Sequence, residues 1–365
     1  MHNSLPEYRV AFWRRLSELC DLDLCITHPE LESKDYGFNF EHGGLSVIAG
    51  DGSNIDPAGY DVVVLPPSDS VKDLRIADRV IGLCGQAGIP TVFWSEAWMP
   101  QSGSWSVKRA VKRMLKRAAS QRVATRVSCC VVPGTLAEGY LRDLGADDIC
   151  RVVDAAEVGE IVPQKAQEVR ASLPEGKKIL LYFGRLKKFK GTAALADAFR
   201  EICQRRDDIF MLVCGDGECR EELAATLREG CPEGSWRMEG KVDPRWRASY
   251  YSVANAFVLP SCMHDGQIEI WGLSVNESLE AGVPVIATDA VGAAYDRVDE
   301  SVGAVVPQGD SSALAVAIED VLARNECGAM AGACRARAAQ YSTENMAQGF
   351  YRVFCDLAGK DGYHA

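Results

Sequence analysis

Short apolar runs recur along the chain with helix-patterned segments between them, and this alternation restricts the fold more than any other feature. A first series places strands over 22–27, 60–65, 90–94 and 127–132, separated by helices over 71–84, 106–121 and 135–144. A helix over 7–20 precedes them, with Val10, Trp13, Leu16 and Leu19 at three-residue spacing. The strand that ordinarily opens such a domain is not found ahead of it. From 154 to 178 the pattern loosens into a charged segment holding Pro163 and Pro174, which reads as a linker. A second series follows, with strands over 179–183, 209–213, 256–259 and 285–287 and a helix between each pair, and the chain ends in helices over 311–324 and 344–357. The pattern predicts an α/β protein of two Rossmann-like domains facing across a cleft, over 1–160 and 175–340, with 341–365 as a helix packing back on the first. Ligands of such sheets bind outside the carboxyl ends of the strands.

The length of 365 residues accommodates about two domains. Hydrophobic residues make up 47% of the chain, enough for two cores without disulfide staples. The fourteen cysteines include no CxxC pair and no zinc-like Cys/His spacing. Most lie in apolar runs, as Cys129, Cys130 and Cys214 do, and are read as small hydrophobes in a reducing cytoplasm. No apolar run approaches the roughly 20 residues that span a bilayer. A net charge of −11 argues against nucleic acid as a partner.

Three segments of the second series carry candidate chemistry. The first, 184–191, reads GRLKKFKG and is neither a Walker loop nor a dinucleotide fingerprint. Its cations matter more than its glycines: Arg185 and Lys190 are placed to hold a diphosphate, or else the turn is simply basic and solvated. The second is the glycine loop at Gly215, Asp216 and Gly217, where a backbone can approach a ligand or merely turn from strand to helix. The third, 267–289, is a polar loop, a helix opening at Gly272, a Gly-Val-Pro stop and an apolar strand. Glu269 and Glu277 flank that helix start, whose free N–H groups at Gly272, Leu273 and Ser274 favour an anion. Glu277 suits the two hydroxyls of a ribose and Glu269 a sugar, the alternative being incidental surface glutamates. All three segments follow consecutive strands.

These motifs resemble those of the retaining glycosyltransferases of the GT-B fold, family 4 (group 1). The resemblance rests on GRLKKFKG, the GDG loop and the E-x7-E spacing followed by GVPVIATDAVG, is specific over about 179–310 and general before it. It implies transfer of a sugar from a nucleotide diphosphate donor with retained anomeric configuration. Arg185 and Lys190 would neutralise the leaving diphosphate, so that no divalent metal and no further cofactor is needed. Glu269 would contact the donor sugar, Glu277 the ribose, the amides of 272–274 the phosphate, and the backbone near Lys241 and Val242 the base. The chain departs from the common pattern at Trp271, where Phe is usual, at Ile270, where Pro is frequent, in a longer 262–268 segment, and in the missing amino-terminal strand with its glycine-rich loop.

The first series would then bind the acceptor. Glu96 ends a strand within Trp94-Ser95-Glu96-Ala97-Trp98, where it can orient an acceptor hydroxyl or serve as a capping or salt-bridged carboxylate. After it, Trp98, Met99 and Trp105 precede the stretch 106–126, which holds eight Lys/Arg and no acid. Lys108, Lys112 and Lys116, with Arg109, Arg113 and Arg117, recur every four residues along one helix face, apart from Val107, Val111, Met114 and Leu115. Such a helix suits an anionic membrane surface, as does a lipid-linked acceptor; a solvated helix is the alternative. Asp21-Leu22-Asp23 resembles a metal-binding DxD but reads better as a solvated turn, and His264, His2, His28, His42 and His364 show no ligand spacing. The chain is thus expected to be a cytoplasmic enzyme, peripheral on the inner face of the cell membrane, acting in surface polysaccharide or glycolipid assembly. Two other readings stay open: a nucleotide-sugar 2-epimerase of the same architecture and a non-catalytic nucleotide-sugar-binding subunit.

Overall fold

The computed structural model describes residues 1, 6–28, 44–48, 52, 55–66, 71–98 and 107–359. The chain forms two compact units, Met1–Ala156 with Tyr341–Ala365, and Glu157–Gln340. In the first, β1 (Asp23–Cys25) pairs in parallel with β2 (Ser46–Ile48), while β3 (Val63–Val64), β4 (Thr91–Trp94), β5 (Cys129–Val132) and β6 (Ile149–Arg151) form a parallel sheet in that order. Side chains alternate across this sheet and build a core on each face. Phe93, Cys130 and Val132 pack with Leu74 and Val80 of helix Val71–Ala87 and Leu141 of helix Thr135–Asp143. Val92, Trp94, Cys129 and Val131 pack with Phe12 and Leu16 of helix Glu7–Leu19 and with Met346, Phe350 and Val353 of helix Thr343–Ala358. Strands covered on both faces must be apolar throughout, which explains TVFW and CCVV.

The final helix is started by the Ser342 hydroxyl, which accepts from the Asn345 N–H at 3.1 Å, and is stopped at Gly359. Its Phe350 lies 5.3 Å from the Phe12 ring and 5.0 Å from that of Trp94, centroid to centroid. Those contacts make it part of the first unit's core.

The second unit is a six-stranded parallel sheet. Its strands are β7 (Lys178–Phe183), β8 (Ile209–Cys214), β9 (Trp236–Gly240), β10 (Ala256–Leu259), β11 (Val285–Thr288) and β12 (Gly303–Val306), in the spatial order β9-β8-β7-β10-β11-β12. The order reverses beside β7: the chain moves outward to β8 and β9, then returns to lay β10 against β7's other edge and continues outward through β11 and β12. A doubly wound sheet opens a crevice at such a point.

The structure corrects several readings. The segment 154–178 is no loose linker: it contains the helix Pro163–Ala171, and Val158, Val169 and Leu173 join the second unit's core. Four strands, β2, β6, β9 and β12, were not expected, nor were the helices Gly292–Arg297 and Ala331–Ala339. All fourteen cysteines are free, and burial pushes the Cys130 thiol up to about 12, in keeping with a hydrophobic role. Because Phe350 ties the last helix to β4, Phe350→Ala should cost about 3–5 kcal/mol. Hydrogen exchange should show faster opening at β4 and β5 while β7 and β8 keep their protection.

Candidate functional site

The candidate residues of the second unit gather where β7 and β10 part. After β7 the chain turns through Gly184 to Gly191, and Gly184 and Leu186 donate their N–H groups to the carbonyls of Cys214 and Asp216 at 2.9 Å each. Gly215 in turn donates to Gly240 at 2.7 Å, so the basic turn, the glycine loop and the end of β9 form one strip that runs on to the half-buried Val242. Beneath it, buried Tyr182 donates its hydroxyl to the carbonyl of Arg185 at 2.9 Å. Burial, and then Glu269, push the Tyr182 phenol well above its ordinary value, so it remains a neutral donor. Arg185 itself is exposed, and its guanidinium has no ion-pair partner among the described residues.

On the other side, Gly191 adopts φ +68°, and a Cβ there would sit 1.8 Å from the carbonyl oxygen of Pro260. Only glycine permits that approach. It brings Lys190 to Glu269, and the two form an ion pair with side chains 11% and 14% exposed. The Ser261 hydroxyl also donates to Glu269, at 3.2 Å. Glu269 is fixed from behind by a parallel bridge to Val291, and Trp271 accepts from Ala293 at 2.8 Å. The helix Leu273–Glu280 begins at Gly272, whose φ of +94° leaves a Cβ only 2.9 Å from the Val291 side chain and 3.3 Å from that of Glu269. Leu273 and Ser274 therefore present the helix's first N–H groups beside Glu269.

One turn further, Glu277 is 6% exposed and is held by Arg247 at 2.6 Å and by the Tyr251 hydroxyl at 3.4 Å. Tyr251 stacks at 5.7 Å on Phe183, the last residue of β7. Arg247 and Tyr251 were not foreseen; an arginine thirty positions before an acid leaves no local signature. Lys190, Glu269, Gly272, Leu273 and Ser274 are thus brought together directly. Arg185 and Gly215 share the adjoining strip, and Glu277 stands in its own clamp.

The first-unit candidates are differently engaged. Glu96 pairs with buried Arg9 at 2.7 Å, and Arg9 also pairs with fully buried Asp154. Burial opposes the Arg9 charge, but Asp154 and Glu96 more than offset it and raise its pKa. The basic helix is Val107–Ala124. The side chains of Lys108, Arg109 and Lys112 lie outside the described residues, as do Met99 and Trp105. Arg122 and Arg126 bind Asp78, and Arg117 reaches the Asp143 carbonyl at 3.3 Å, so the cations do not act as one free stripe. Instead Val111, Met114 and Leu115 are 49%, 72% and 58% exposed. Asp23 accepts from Ser46 at 2.6 Å and Tyr60 at 3.0 Å, tying β1 to its neighbours. His264 is exposed and closes a tight turn with Gln267, and His28 pairs with Asp73 at 2.8 Å. His2, His42 and His364 lie outside the described residues.

Residues 163–341 match the model of the family described as Glycosyl transferases group 1. The matched stretch takes in nearly all of the second unit. Curated relatives agree: the chain is 32% identical over 196 residues to a phosphatidyl-myo-inositol mannosyltransferase of Mycobacterium leprae, covering 52% of this chain and 49% of that protein. It is 31% identical over 119 residues to 2-deoxystreptamine N-acetyl-D-glucosaminyltransferase of Niallia circulans, covering 33% and 29%. The matches thus span half or less of these relatives' length. Among solved structures, Anabaena HepE in complex with UDP superposes with a TM-score of 0.72 at 14% identity, covering 97% of this chain and 99% of HepE. Sucrose-phosphate synthase from Thermosynechococcus elongatus gives 0.67 at 22% identity, covering 82% and 74%. These likenesses establish the α/β fold with parallel sheets that GT-B glycosyltransferases share.

In the second unit Gly272, with its positive φ, has little latitude for a side chain. Gly272→Ala should cost about 1–3 kcal/mol through its backbone angle and its contact with Val291, shifting the urea midpoint.

Proposed function

We propose that the protein is a retaining, metal-independent family 4 glycosyltransferase that moves a sugar from a nucleotide diphosphate donor to a glycan or lipid-linked acceptor in polysaccharide or glycolipid assembly. The observation that carries this reading is the Lys190–Glu269 pair at the start of helix Leu273–Glu280, beside exposed Arg185. Breaking a glycosyl phosphate bond builds negative charge on the departing diphosphate and positive charge on the sugar ring. Donors already aimed at the first need no reorganisation during the reaction, and each contributes roughly 3 kcal/mol. On this reading the diphosphate takes Lys190 from Glu269, and the released carboxylate turns to the sugar hydroxyls. Glu277, oriented by Arg247 and Tyr251, keeps lone pairs for the ribose. Glu96, held by Arg9, orients the acceptor hydroxyl. The relatives' names, which include mannosyl- and N-acetylglucosaminyltransferases, support this reaction class.

The test is product analysis in the presence of EDTA with a panel of nucleotide sugars. A glycosylated acceptor is expected; an altered free nucleotide sugar would indicate an epimerase, and binding without turnover a non-catalytic subunit. Lys190→Ala and Glu277→Ala should each lower kcat at least about 100-fold with an unchanged circular dichroism spectrum, and wild-type turnover in either removes the site assignment.

The same proposal places the protein on an anionic membrane. Among the described residues no helix is long and apolar enough to cross a bilayer, whereas exposed Val111, Met114 and Leu115 with neighbouring cations suit its surface. Flotation with vesicles containing anionic lipid should recover the protein, and Met114→Glu with Leu115→Glu should abolish recovery. Binding that ignores both lipid charge and these residues would overturn the membrane assignment.

A further inference from the structure

Strand register in the first unit brings three metal-ligating side chains together. β5 and β6 run parallel, with Cys130 opposite Ile149 and Val131 opposite Cys150. One step earlier the same register sets Cys129 opposite Asp148. Because side chains alternate along a strand, Cys129, Asp148 and Cys150 share one face. Their two sulfurs and a carboxylate oxygen all lie within 4.8 Å of one another. The backbone fixes this arrangement, since Cys130 donates its N–H to the Asp148 carbonyl at 2.8 Å. Cys129 is buried, Cys150 half-buried and Asp148 exposed, so the cluster runs from the core to solvent.

Two neighbouring thiols could instead close a disulfide, but the register opposes it. Cys129 stands two residues from the position opposite Cys150. That offset is about 6.6 Å along the strand and about 4.8 Å across, a Cα separation of about 8 Å, whereas a disulfide spans at most about 7 Å. A metal ion supplies the missing reach. A tetrahedral ion about 2.3 Å from each sulfur holds the two about 3.8 Å apart, which the cluster attains with a movement of about 1 Å at most. Two sulfurs and one carboxylate suit zinc, whereas magnesium and calcium take oxygen alone. Burial, and then the hydrogen bond with Cys150, push the Cys129 thiol above its ordinary value, so an ion displaces a proton as it binds.

We propose that Cys129, Asp148 and Cys150 form a zinc site, with water as fourth ligand, that ties the entry of edge strand β6 to β5. The site lies at the amino ends of these strands, while Glu96 and Asp154 follow the carboxyl ends of β4 and β6. The ion therefore braces the sheet and takes no part in sugar transfer, which is still expected in EDTA. Cys129, legible in the sequence only as a small hydrophobe, gains a second role.

Titrating the reduced, metal-free full chain with Co(II) tests this. One ion per chain and a sulfur-to-cobalt charge-transfer band are expected, with Zn(II) displacing the cobalt and raising Tm by about 5 °C. Cys150→Ser should weaken binding at least about 100-fold and remove most of the band. Asp148→Asn changes only an exposed side chain and keeps the fold; it should weaken binding about 10-fold or more with the band retained. Cys203→Ser, in the second unit, should alter neither. A band undiminished in Cys150→Ser places the cobalt on other thiols and overturns the proposal, as does binding without a thiolate band or the absence of binding. Unchanged affinity in Asp148→Asn overturns the three-ligand site, and rapid closure of a Cys129–Cys150 disulfide by oxidised glutathione overturns the geometry on which it rests.

Discussion

The second unit is built around a backbone contact that only one residue type allows. At the end of β7 the chain passes so close to Pro260 that Gly191 has no space for a Cβ. That approach is held by Cys262 donating to the Phe189 carbonyl at 2.8 Å, and Gly191's own carbonyl accepts the first bond of helix Thr192–Cys203, from Leu195 at 3.1 Å. Lys190, one residue earlier, is thereby delivered to a loop that follows β10, seventy-nine positions away in sequence. The sheet order makes this possible, since β10 lies next to β7 although two strands separate them along the chain.

Charge is distributed on this frame with little waste. A mostly buried ion pair such as Lys190–Glu269 gains little stability once desolvation is counted, so its position beside free helix amides is better explained by what it can exchange with than by what it adds to folding. Glu277 differs, because its partners Arg247 and Tyr251 lie behind it and fix its direction. In the first unit Arg9 does both jobs at once, neutralising fully buried Asp154 and orienting the more exposed Glu96.

The alternation of apolar runs and helices was legible because central strands are covered on both faces and must be apolar at every position. β7, β8, β10 and β11 are such strands, as are β4 and β5, and each was expected within a residue or two of its bounds. The four strands missed, β2, β6, β9 and β12, all lie at sheet edges. There the demand for apolar side chains lapses: Ser46–Ile48 is exposed throughout, and Trp236–Gly240 carries Arg237 and Glu239 as an ion pair. Spacing also located Glu269, Glu277 and the basic turn, which are local motifs. It could not locate Arg247 or Tyr251, whose nearness to Glu277 exists only in three dimensions. Nor could it foresee that Arg117, Arg122 and Arg126 would be absorbed by Asp143 and Asp78, leaving apolar side chains as the exposed feature of that helix.

Met346, Ala347, Phe350 and Val353 complete a core whose other members lie within the first 152 residues. During synthesis from the amino terminus, domains ordinarily close in the order in which they emerge. Here the first unit waits, its sheet lacking one covering helix until residues 343–358 have left the ribosome, by which time the whole of Glu157–Gln340 has already been released. The unit written second in the sequence is therefore the first that can finish folding, and the apolar face around Trp94 and Val131 is the surface a nascent chain must keep from aggregating in the interval.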